Sequence, residues 1–472
     1  MKLIYLIVFL KCAETAKILA IVFSPSYSHQ VAFRPIWKEL SKRGHDITLL
    51  TTDPMNDSKY KNIREIDLSK SYEIMEKYGA SDVITKTQNT VKSMKETAIQ
   101  SDKIFISKYF FRFNVPFIGL TSLDAVPRTH KAIGNIMHPS IYPDFSLPFV
   151  RNLTFSQRLM SIFFSWAVLI YEYFLYQVEN ENAMRHFGDI RPLNEIEKDI
   201  SMLFINVNPL FHHIRPIGPN TIPIGGGLHI QKVQPLPKEL QDFMDNAEQG
   251  IIYFSLGTNV KSSLINDRLK SVILETFSDL PYKILWKFEE DNLTGKPKNV
   301  KIFKWIPQRD LIQHPKLVLF ITQCGLQSME ESIYSHVPMV GMPFFGDQYN
   351  NARIMEEKRI GISVDHHNLS KEIFRNAILE VIKNPFYRDQ VKDIATLSKD
   401  VEMTGLEKAV WWTEYTIRTR GAKHLKNPVV DLPYYKYYLL DVIGFILSIT
   451  AVFLFAITKI LQFLTELIGS RQ

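Results

Sequence analysis

The folded part of the chain opens with an apolar strand, a helix and a second strand in succession. Apolar residues fill positions 18–23, recur at helical spacing over residues 31–42, and dominate again over residues 46–51. Gly44 stands where the helix should end, because glycine readily adopts the left-handed conformation that closes helices. The pattern therefore predicts a βαβ unit.

The middle of the chain has a weaker pattern. Residues 69–108 are polar and helix-prone without a clear strand, and the next predicted strand covers residues 116–120. Residues 159–178 are rich in Phe, Tyr, Leu and Ile but contain scattered polar residues, which fits either a buried pair of helices or one helix in a membrane interface. Repeated Pro and Gly from Pro209 to Pro237 predict a linker between two domains.

Beyond this linker the alternation becomes regular. Six apolar stretches of strand length, separated by helical stretches, cover residues 251–255, 283–288, 300–304, 317–322, 338–342 and 361–364. This alternation predicts an α/β fold with a doubly wound parallel sheet. Ligands of such sheets bind at the carboxyl ends of the strands.

Both ends of the chain carry apolar segments of another kind. An apolar run after Lys2, followed by small residues, predicts a signal peptide over residues 1–16. Near the C-terminus an apolar run is preceded by four tyrosines and followed by Lys459, which predicts a transmembrane helix at 439–458 and a cytosolic tail at 459–472. The bulk of the chain is then expected in a lumen or outside the cell.

Length and composition narrow the class of protein. A chain of 472 residues suggests two domains, placed here at residues 17–235 and 236–425. The net charge of +7 is spread thinly, without the basic clusters that nucleic acids require. Of the two cysteines, Cys12 falls in the signal peptide, so Cys324 has no internal disulfide partner. Dinucleotide, phosphate-loop and protease motifs are absent from the sequence.

Polar residues follow the predicted strands of the second half. Gly257 and Thr258 follow the first of these strands, where backbone N–H groups can approach an anion. Trp305 and Gln308 follow the third and pair a flat aromatic ring with an amide that could read a base, although a strand exit with a core Trp fits almost as well.

The fourth strand leads into a longer polar series. Gln323 and Gly325 at a helix start suit a diphosphate, and Glu331 in the helix suits ribose hydroxyls. Asp347 and Gln348 follow the next strand and offer acceptors and donors for sugar hydroxyls.

This series resembles the signature of the UDP-glycosyltransferase family, in particular its membrane-bound animal branch, which includes the UDP-glucuronosyltransferases. The resemblance implies a GT-B fold, in which two Rossmann-like domains face a cleft, the N-terminal domain binds the acceptor and the C-terminal domain binds UDP-sugar. It also implies an inverting transfer without metal or cofactor. The matching positions are Trp305, Gln308, Gln323, Gly325, Ser328, Glu331, Pro338, Pro343, Asp347 and Gln348.

The resemblance also implies individual roles. Trp305 and Gln308 would meet uracil, and Glu331 the ribose. Gln323 and the Gly325 turn would meet the diphosphate, and Asp347 with Gln348 the sugar. Cys324, where the family usually has glycine, is expected to crowd the phosphate turn. The complete expected donor set is Ser255, Gly257, Thr258, Trp305, Gln308, Gln323, Gly325, Gln327, Ser328, Glu331, Asp347 and Gln348.

His29 matches the family's catalytic histidine, which acts as the base on the acceptor hydroxyl. The family usually carries, near residue 100, a strand and a helix with the aspartate that orients this histidine. The sequence lacks that block, and Asp102 is a poor substitute. Two hypotheses follow: an active enzyme, or a non-catalytic nucleotide-sugar-binding variant, which includes an incomplete gene model.

The active enzyme would conjugate small lipophilic hydroxyl compounds at the endoplasmic reticulum membrane, with its domains luminal, in a detoxification role. Its donor is open between UDP-glucose and UDP-glucuronate, because Asp347 and Gln348 suit hydroxyls common to both sugars. Homo-oligomerisation is also left open.

Overall fold

The structure is a computed structural model that describes residues 15–22, 24–77, 115–144, 147, 149, 152–212 and 214–469. The signal peptide predicted at residues 1–16 lies almost wholly outside these ranges. The region around residue 100, with Asp102, also lies outside them. Both therefore stay predictions.

The N-terminal domain begins with a parallel sheet in the order β1, β2, β3, which confirms the predicted βαβ unit. The helix predicted over residues 31–42 is observed at Arg34–Lys42, where Pro35 stands in its first turn, and a separate short helix at Tyr27–Val31, which was not predicted, precedes it. Strand β3 escaped prediction because its sequence, Ile-Arg-Glu-Ile-Asp, is mostly charged. The elements are β1 (Lys17–Val22), α1 (Tyr27–Val31), α2 (Arg34–Lys42), β2 (Asp46–Thr51), β3 (Ile63–Asp67) and α3 (Lys70–Lys77).

A second parallel sheet in the same domain has the order β4, β5, β6. Ala20 of the first sheet and Phe204 of the second belong to one apolar core. Within the described ranges β1 pairs only with β2 and β4 only with β5, so each has an edge without a described neighbour. The elements are β4 (Phe117–Thr121), α4 (Pro127–Ala132), α5 (Phe155–Phe187), α6 (Leu193–Glu197), β5 (Ile200–Ile205) and β6 (Thr221–Pro223).

Helix α5 is one continuous helix of 33 residues, so the predicted alternative of a helix pair is wrong. Thr154 and Gln157 form a reciprocal capping box that fixes its start. Its inner side is buried at Ser161 and Ala183. Large apolar residues on its outer side are exposed at intervals of three or four residues, namely Phe155, Leu159, Phe163, Trp166, Ile170, Phe174 and Val178.

The C-terminal domain contains one parallel sheet in the order β9, β8, β7, β10, β11, β12. All six predicted strands are present, and apolar clusters cover both faces of the sheet, as a doubly wound fold requires. The strands are β7 (Ile251–Ser255), β8 (Lys283–Lys287), β9 (Val300–Phe303), β10 (Leu317–Thr322), β11 (Met339–Gly341) and β12 (Gly361–Ser363). The helices are α7 (Lys238–Asp245), α8 (Asp267–Ser278), α9 (Gln308–Leu311), α10 (Leu326–Tyr334), α11 (Gln348–Glu357), α12 (Lys371–Lys383) and α13 (Pro385–Lys399).

The chain then returns to the N-terminal domain through helix α14 (Gly405–Arg418). Ala409 and Val410 of α14 are fully buried in the N-terminal core. A Cβ on Gly405 would lie 2.0 Å from the Ile224 carbonyl oxygen, so the close approach requires glycine. Packing therefore assigns α14 to the N-terminal domain, although chain order alone placed residues up to 425 with the C-terminal one.

Two helices of the described chain are long and apolar enough to cross a membrane. One is α5, and the other is α16 (Leu440–Gly469), which follows the short helix α15 (Tyr434–Tyr437) and contains the predicted span. Ahead of α16, Asn427 Nδ2 donates to the Gly134 carbonyl oxygen over 2.7 Å, which ties this segment to the N-terminal domain.

Candidate active site

The strands β7 and β10 are neighbours in the C-terminal sheet, and the order of the strands reverses between them. In doubly wound sheets this switch point opens a crevice at the carboxyl ends of the strands. The predicted donor residues follow β7, β9, β10 and β11, and the fold brings them to this edge. Helix α1 of the N-terminal domain faces the same edge, as the contacts below show.

Gln308 is the centre of a hydrogen-bond network. Its Nε2 donates to Ser328 Oγ over 2.9 Å and to Glu331 Oε2 over 2.8 Å. Its Oε1 accepts a bond from the Tyr253 hydroxyl over 3.0 Å. Both ends of the amide are therefore engaged, so Gln308 orients the carboxylate of Glu331.

Trp305 lies at the surface of the crevice with 56% of its area exposed, so the alternative of a core tryptophan is wrong. Its ring meets the Tyr27 ring edge-on, with 5.2 Å between the centroids. Tyr27 belongs to α1, two residues before His29. The exposed flat face suits stacking against a base, and the contact joins the two domains.

The turn after β7 is built for close approach of an anion. Gly257 has a φ of +78°, and a Cβ there would lie 2.2 Å from Gln323 Nε2. A Cβ on Gly325, at the start of α10, would lie 3.0 Å from the same Gln323 Nε2. Lys287 Nζ donates to the Gly257 carbonyl oxygen over 2.9 Å and to Glu289 Oε1 over 2.7 Å, so an ion-paired cation lies at the turn. The helix terminus and the backbone N–H groups favour negative charge, and the Lys287 cation, partly offset by Glu289, adds to them.

Cys324 has the left-handed conformation, with a φ of +66°, that glycine adopts without strain. Its thiol is fully buried in the core, where a Cβ on Gly341 would lie 2.4 Å from Sγ. Burial raises the pKa of the thiol. The expected crowding of the phosphate turn is therefore not observed, because the side chain points into the core.

Asp347 and Gln348 begin helix α11. Burial raises the pKa of Asp347 to about 6, partly offset by a 2.7 Å hydrogen bond from Asn351 Nδ2. Gln348 Oε1 accepts bonds from the backbone N–H groups of Phe344 and Phe345, over 2.8 and 3.2 Å. The Gln348 amide nitrogen is thereby oriented as a donor beside the carboxylate.

His29 lies on α1, which follows directly after β1. Burial lowers the pKa of the imidazole, which favours its neutral, basic form. The neighbouring Gln30 fixes the loop: its Nε2 donates to the carbonyl oxygens of Val22 and Ser24, over 2.7 and 2.8 Å. Among the described residues, His29 has no carboxylate hydrogen-bonded to its ring.

Two further contacts join the domains around this site. Ser26 Oγ donates to Asn259 Oδ1 over 3.4 Å, so the loop before His29 meets the loop after β7. Gln327 Nε2 donates to the Ser122 carbonyl oxygen over 2.9 Å, so this predicted donor residue serves a contact between the domains. Ser255 Oγ accepts from the Gly257 N–H over 3.2 Å and shapes the anion turn, which Thr258 extends.

Sequence reasoning missed several residues of the site. Asn351 could have been found from its position one helical turn after Asp347. Tyr253, Lys287 and Asn259 gave no signal, because their partners are distant in sequence or lie in the other domain. Gln30 was not predicted, although it is the neighbour of the predicted His29.

The comparisons with known proteins agree with this geometry. Residues 105–470 match the family described as UDP-glucoronosyl and UDP-glucosyl transferase. UDP-glucosyltransferase 2 of Dactylopius coccus is 30% identical, over 96% of this chain and 94% of that protein. UDP-glucuronosyltransferase 2B7 of Homo sapiens is 30% identical, over 93% of this chain and 92% of that protein.

Solved structures show the same fold. The structure of Os79 from O. sativa in complex with U2F and trichothecene superposes with a TM-score of 0.55 at 14% identity, covering 84% of this chain and 100% of that one. The fold is the expected GT-B fold, with two α/β domains facing a cleft. The chain belongs to the UDP-glycosyltransferase family and is a glycosyltransferase by class.

Proposed function

We propose that this protein transfers glucose or glucuronate from a UDP-sugar to a hydroxyl of a small lipophilic acceptor, with inversion and with His29 as the base. The observation that carries the proposal is the position of α1 against the donor crevice. Tyr27 contacts Trp305, and Ser26 bonds Asn259, so the loop that holds His29 lies opposite the residues expected to bind the donor.

The reaction uses these groups in one displacement. The neutral imidazole of His29 takes the acceptor proton while the acceptor oxygen forms a bond to the anomeric carbon. The bond from that carbon to the UDP oxygen breaks, and the electron pair leaves with UDP. Backbone donors near Gly257, the start of α10 and Lys287 stabilise the charge that develops on the diphosphate.

The decisive experiment measures turnover in microsomes with each UDP-sugar and a panel of phenols. We expect His29→Ala to abolish acceptor-dependent UDP release. His314→Ala, which removes a histidine bonded to Asp245 on the far side of the domain, is the control. Equal rates for His29→Ala and the unaltered protein would contradict the mechanism.

The non-catalytic nucleotide-sugar-binding variant is the second candidate function. The observation that favours it is that the imidazole of His29 has no carboxylate partner in the described part of the chain. Sequencing the transcript around residues 95–110 separates the two, because additional residues there would supply the family's strand, helix and aspartate. UDP binding without turnover for any acceptor would support the second candidate.

We propose that the donor is UDP-glucose or UDP-glucuronate, because the relatives' names include both a glucosyltransferase and a glucuronosyltransferase. The Asp347 carboxylate and the Gln348 amide suit hydroxyls that the two sugars share. The ratio of kcat/KM for the two UDP-sugars, measured with the same panel of phenols, therefore identifies the donor.

Transfer is proposed to need no metal or cofactor, since the donor turn already offers a helix start and a cation to the diphosphate. Asp365, His366 and His367 nevertheless lie within metal-ligand distance of one another. We expect EDTA to leave turnover unchanged. A loss of turnover in EDTA that added Zn²⁺ or Mg²⁺ restores would contradict this expectation.

We propose that α16 anchors the protein in the endoplasmic reticulum membrane with the catalytic domains in the lumen. Its apolar length and the tyrosines ahead of it support a single span. The exposed outer side of α5 supports a second contact, with the membrane surface, because aromatic residues such as Trp166 and Tyr173 favour that interface.

Protease protection of microsomes tests the orientation, since only the cytosolic tail predicted at residues 459–472 should be accessible to the protease. Fluorophores attached at Trp166→Cys and, as the control, at Glu181→Cys test α5. Brominated lipids should quench the first and spare the second, because Glu181 lies on the exposed polar end of α5. Equal quenching, or a disulfide between two copies at position 166, would exclude a membrane contact.

A further inference from the structure

We propose that His229 is a positioning residue that holds the Glu331 carboxylate for the donor and couples the linker between the domains to the donor site. This inference rests on the proposed UDP-sugar binding. His229 lies in the linker, two residues after the glycines 225–227, and its side chain is packed against α10.

The geometry places an imidazole between two carboxylates. His229 Nε2 lies 3.4 Å from Glu331 Oε1, and His229 Nδ1 lies 3.7 Å from Glu330 Oε2. The side chains of His229 and Glu330 are buried, with 1% and 0% exposed, and that of Glu331 is 12% exposed. Neither ring nitrogen forms a hydrogen bond within the described residues, so the two carboxylates contact the ring at ion-pair distance. Water is thus largely excluded from two adjacent acidic side chains.

The linker is also fixed to Glu330 through its backbone. Gly226 N–H donates to Glu330 Oε1 over 3.2 Å, and a Cβ on Gly226 would lie 2.8 Å from Asn208 Nδ2. Glu331 in turn accepts from Gln308 through its other oxygen, Oε2. His229 therefore lies against one oxygen of Glu331 from the linker, while Gln308 hydrogen-bonds the other oxygen from the sheet.

Charge explains why a histidine suits this position. Burial alone would lower the pKa of His229, but Glu331 and Glu330 outweigh it and raise the pKa above its ordinary value. Among the described residues, the other titratable groups that interact with this cluster include Tyr334 on α10 and the buried His212, which interact with Glu330, and Tyr253, which interacts with Glu331. The protonated imidazole offsets one of two buried negative charges, and this offset is lost as the pH rises through the His229 pKa.

The experiment measures UDP binding by calorimetry and UDP-sugar kinetics with the full-length enzyme in detergent, from pH 6 to pH 9. His229→Gln keeps a polar side chain but removes the charge. We expect its Kd for UDP and its KM for UDP-sugar to rise at least about tenfold, with kcat and acceptor KM nearly unchanged. We also expect UDP binding by the unaltered enzyme to weaken as the pH rises, and this weakening to be absent from His229→Gln.

Two further variants control for folding. His314→Gln removes another buried histidine, bonded to Asp245 away from the crevice, and should leave the Kd unchanged. His229→Gln combined with Glu330→Gln removes the uncompensated charge and should recover part of the UDP affinity. An unchanged Kd and pH profile in His229→Gln, or a loss in the double variant equal to that in the single one, would overturn the inference. UDP binding is read without turnover, so this outcome is separate from failure of the proposed transfer.

Discussion

Replacement of Asp347 by asparagine is expected to stabilise the protein at neutral pH and to impair donor use. Burial raises the pKa of this carboxyl from its ordinary 3.8 to about 6. Ionisation of Asp347 in the folded protein therefore costs about 2–3 kcal/mol at pH 7.5. Asparagine removes this cost and can still accept the hydrogen bond from Asn351 Nδ2.

The stability that Asp347→Asn gains is larger at neutral pH than at acidic pH. The folded-state pKa of an acid is raised, so the penalty is fully present above about pH 6 and shrinks as the pH falls toward 3.8. At pH 7.5 a gain of about 2–3 kcal/mol corresponds to a rise in Tm of about 4–10 °C for a domain of this size. At pH 5 about half of the gain should remain.

Thermal unfolding in detergent, followed by tryptophan fluorescence at pH 7.5 and pH 5, measures the effect. Asp393→Asn, at an exposed carboxylate on α13, is the control and should change stability by less than about 0.5 kcal/mol. The same preparations give KM for UDP-sugar, which should rise for Asp347→Asn because the sugar loses a charged acceptor. An unchanged or lower Tm at pH 7.5 would refute the argument from burial.

Further predictions concern packing and pH. Gly341→Ala should destabilise the protein by about 1–3 kcal/mol, because the new Cβ would meet Cys324 Sγ at 2.4 Å. Cys324→Gly, combined with it, should recover part of this loss in thermal unfolding. Gly346→Ala is the control, because its Cβ would have no atom within 4 Å and should show only the strain of the positive φ. Gly257→Ala should weaken UDP binding in calorimetry while leaving Tm within a few degrees, and unchanged affinity would argue against the anion turn. The kcat/KM of transfer should rise with pH through a value below the ordinary 6.5 of histidine, because burial lowers the pKa of His29; a limb above 6.5 would point to another base.

The sequence by itself determined the C-terminal sheet. Strands buried on both faces consist of continuous apolar runs, and β7 and β10 were predicted with their observed bounds for this reason. The parallel order then places residues after successive strands at one edge, so the sequence could predict that the residues from Trp305 to Gln348 lie together. Short or charged strands gave no such signal, as β3 and the three-residue β6 illustrate.

Only the tertiary structure decided how these side chains are used. Gln308 was expected at a base but has both ends of its amide bonded within the protein, and Cys324 turns away from the phosphate turn into the core. The contact of Tyr27 with Trp305 and that of His229 with Glu331 join residues more than one hundred positions apart. Periodicity reports the face of an element that is buried, whereas side-chain direction and the approach of two domains depend on packing between distant segments.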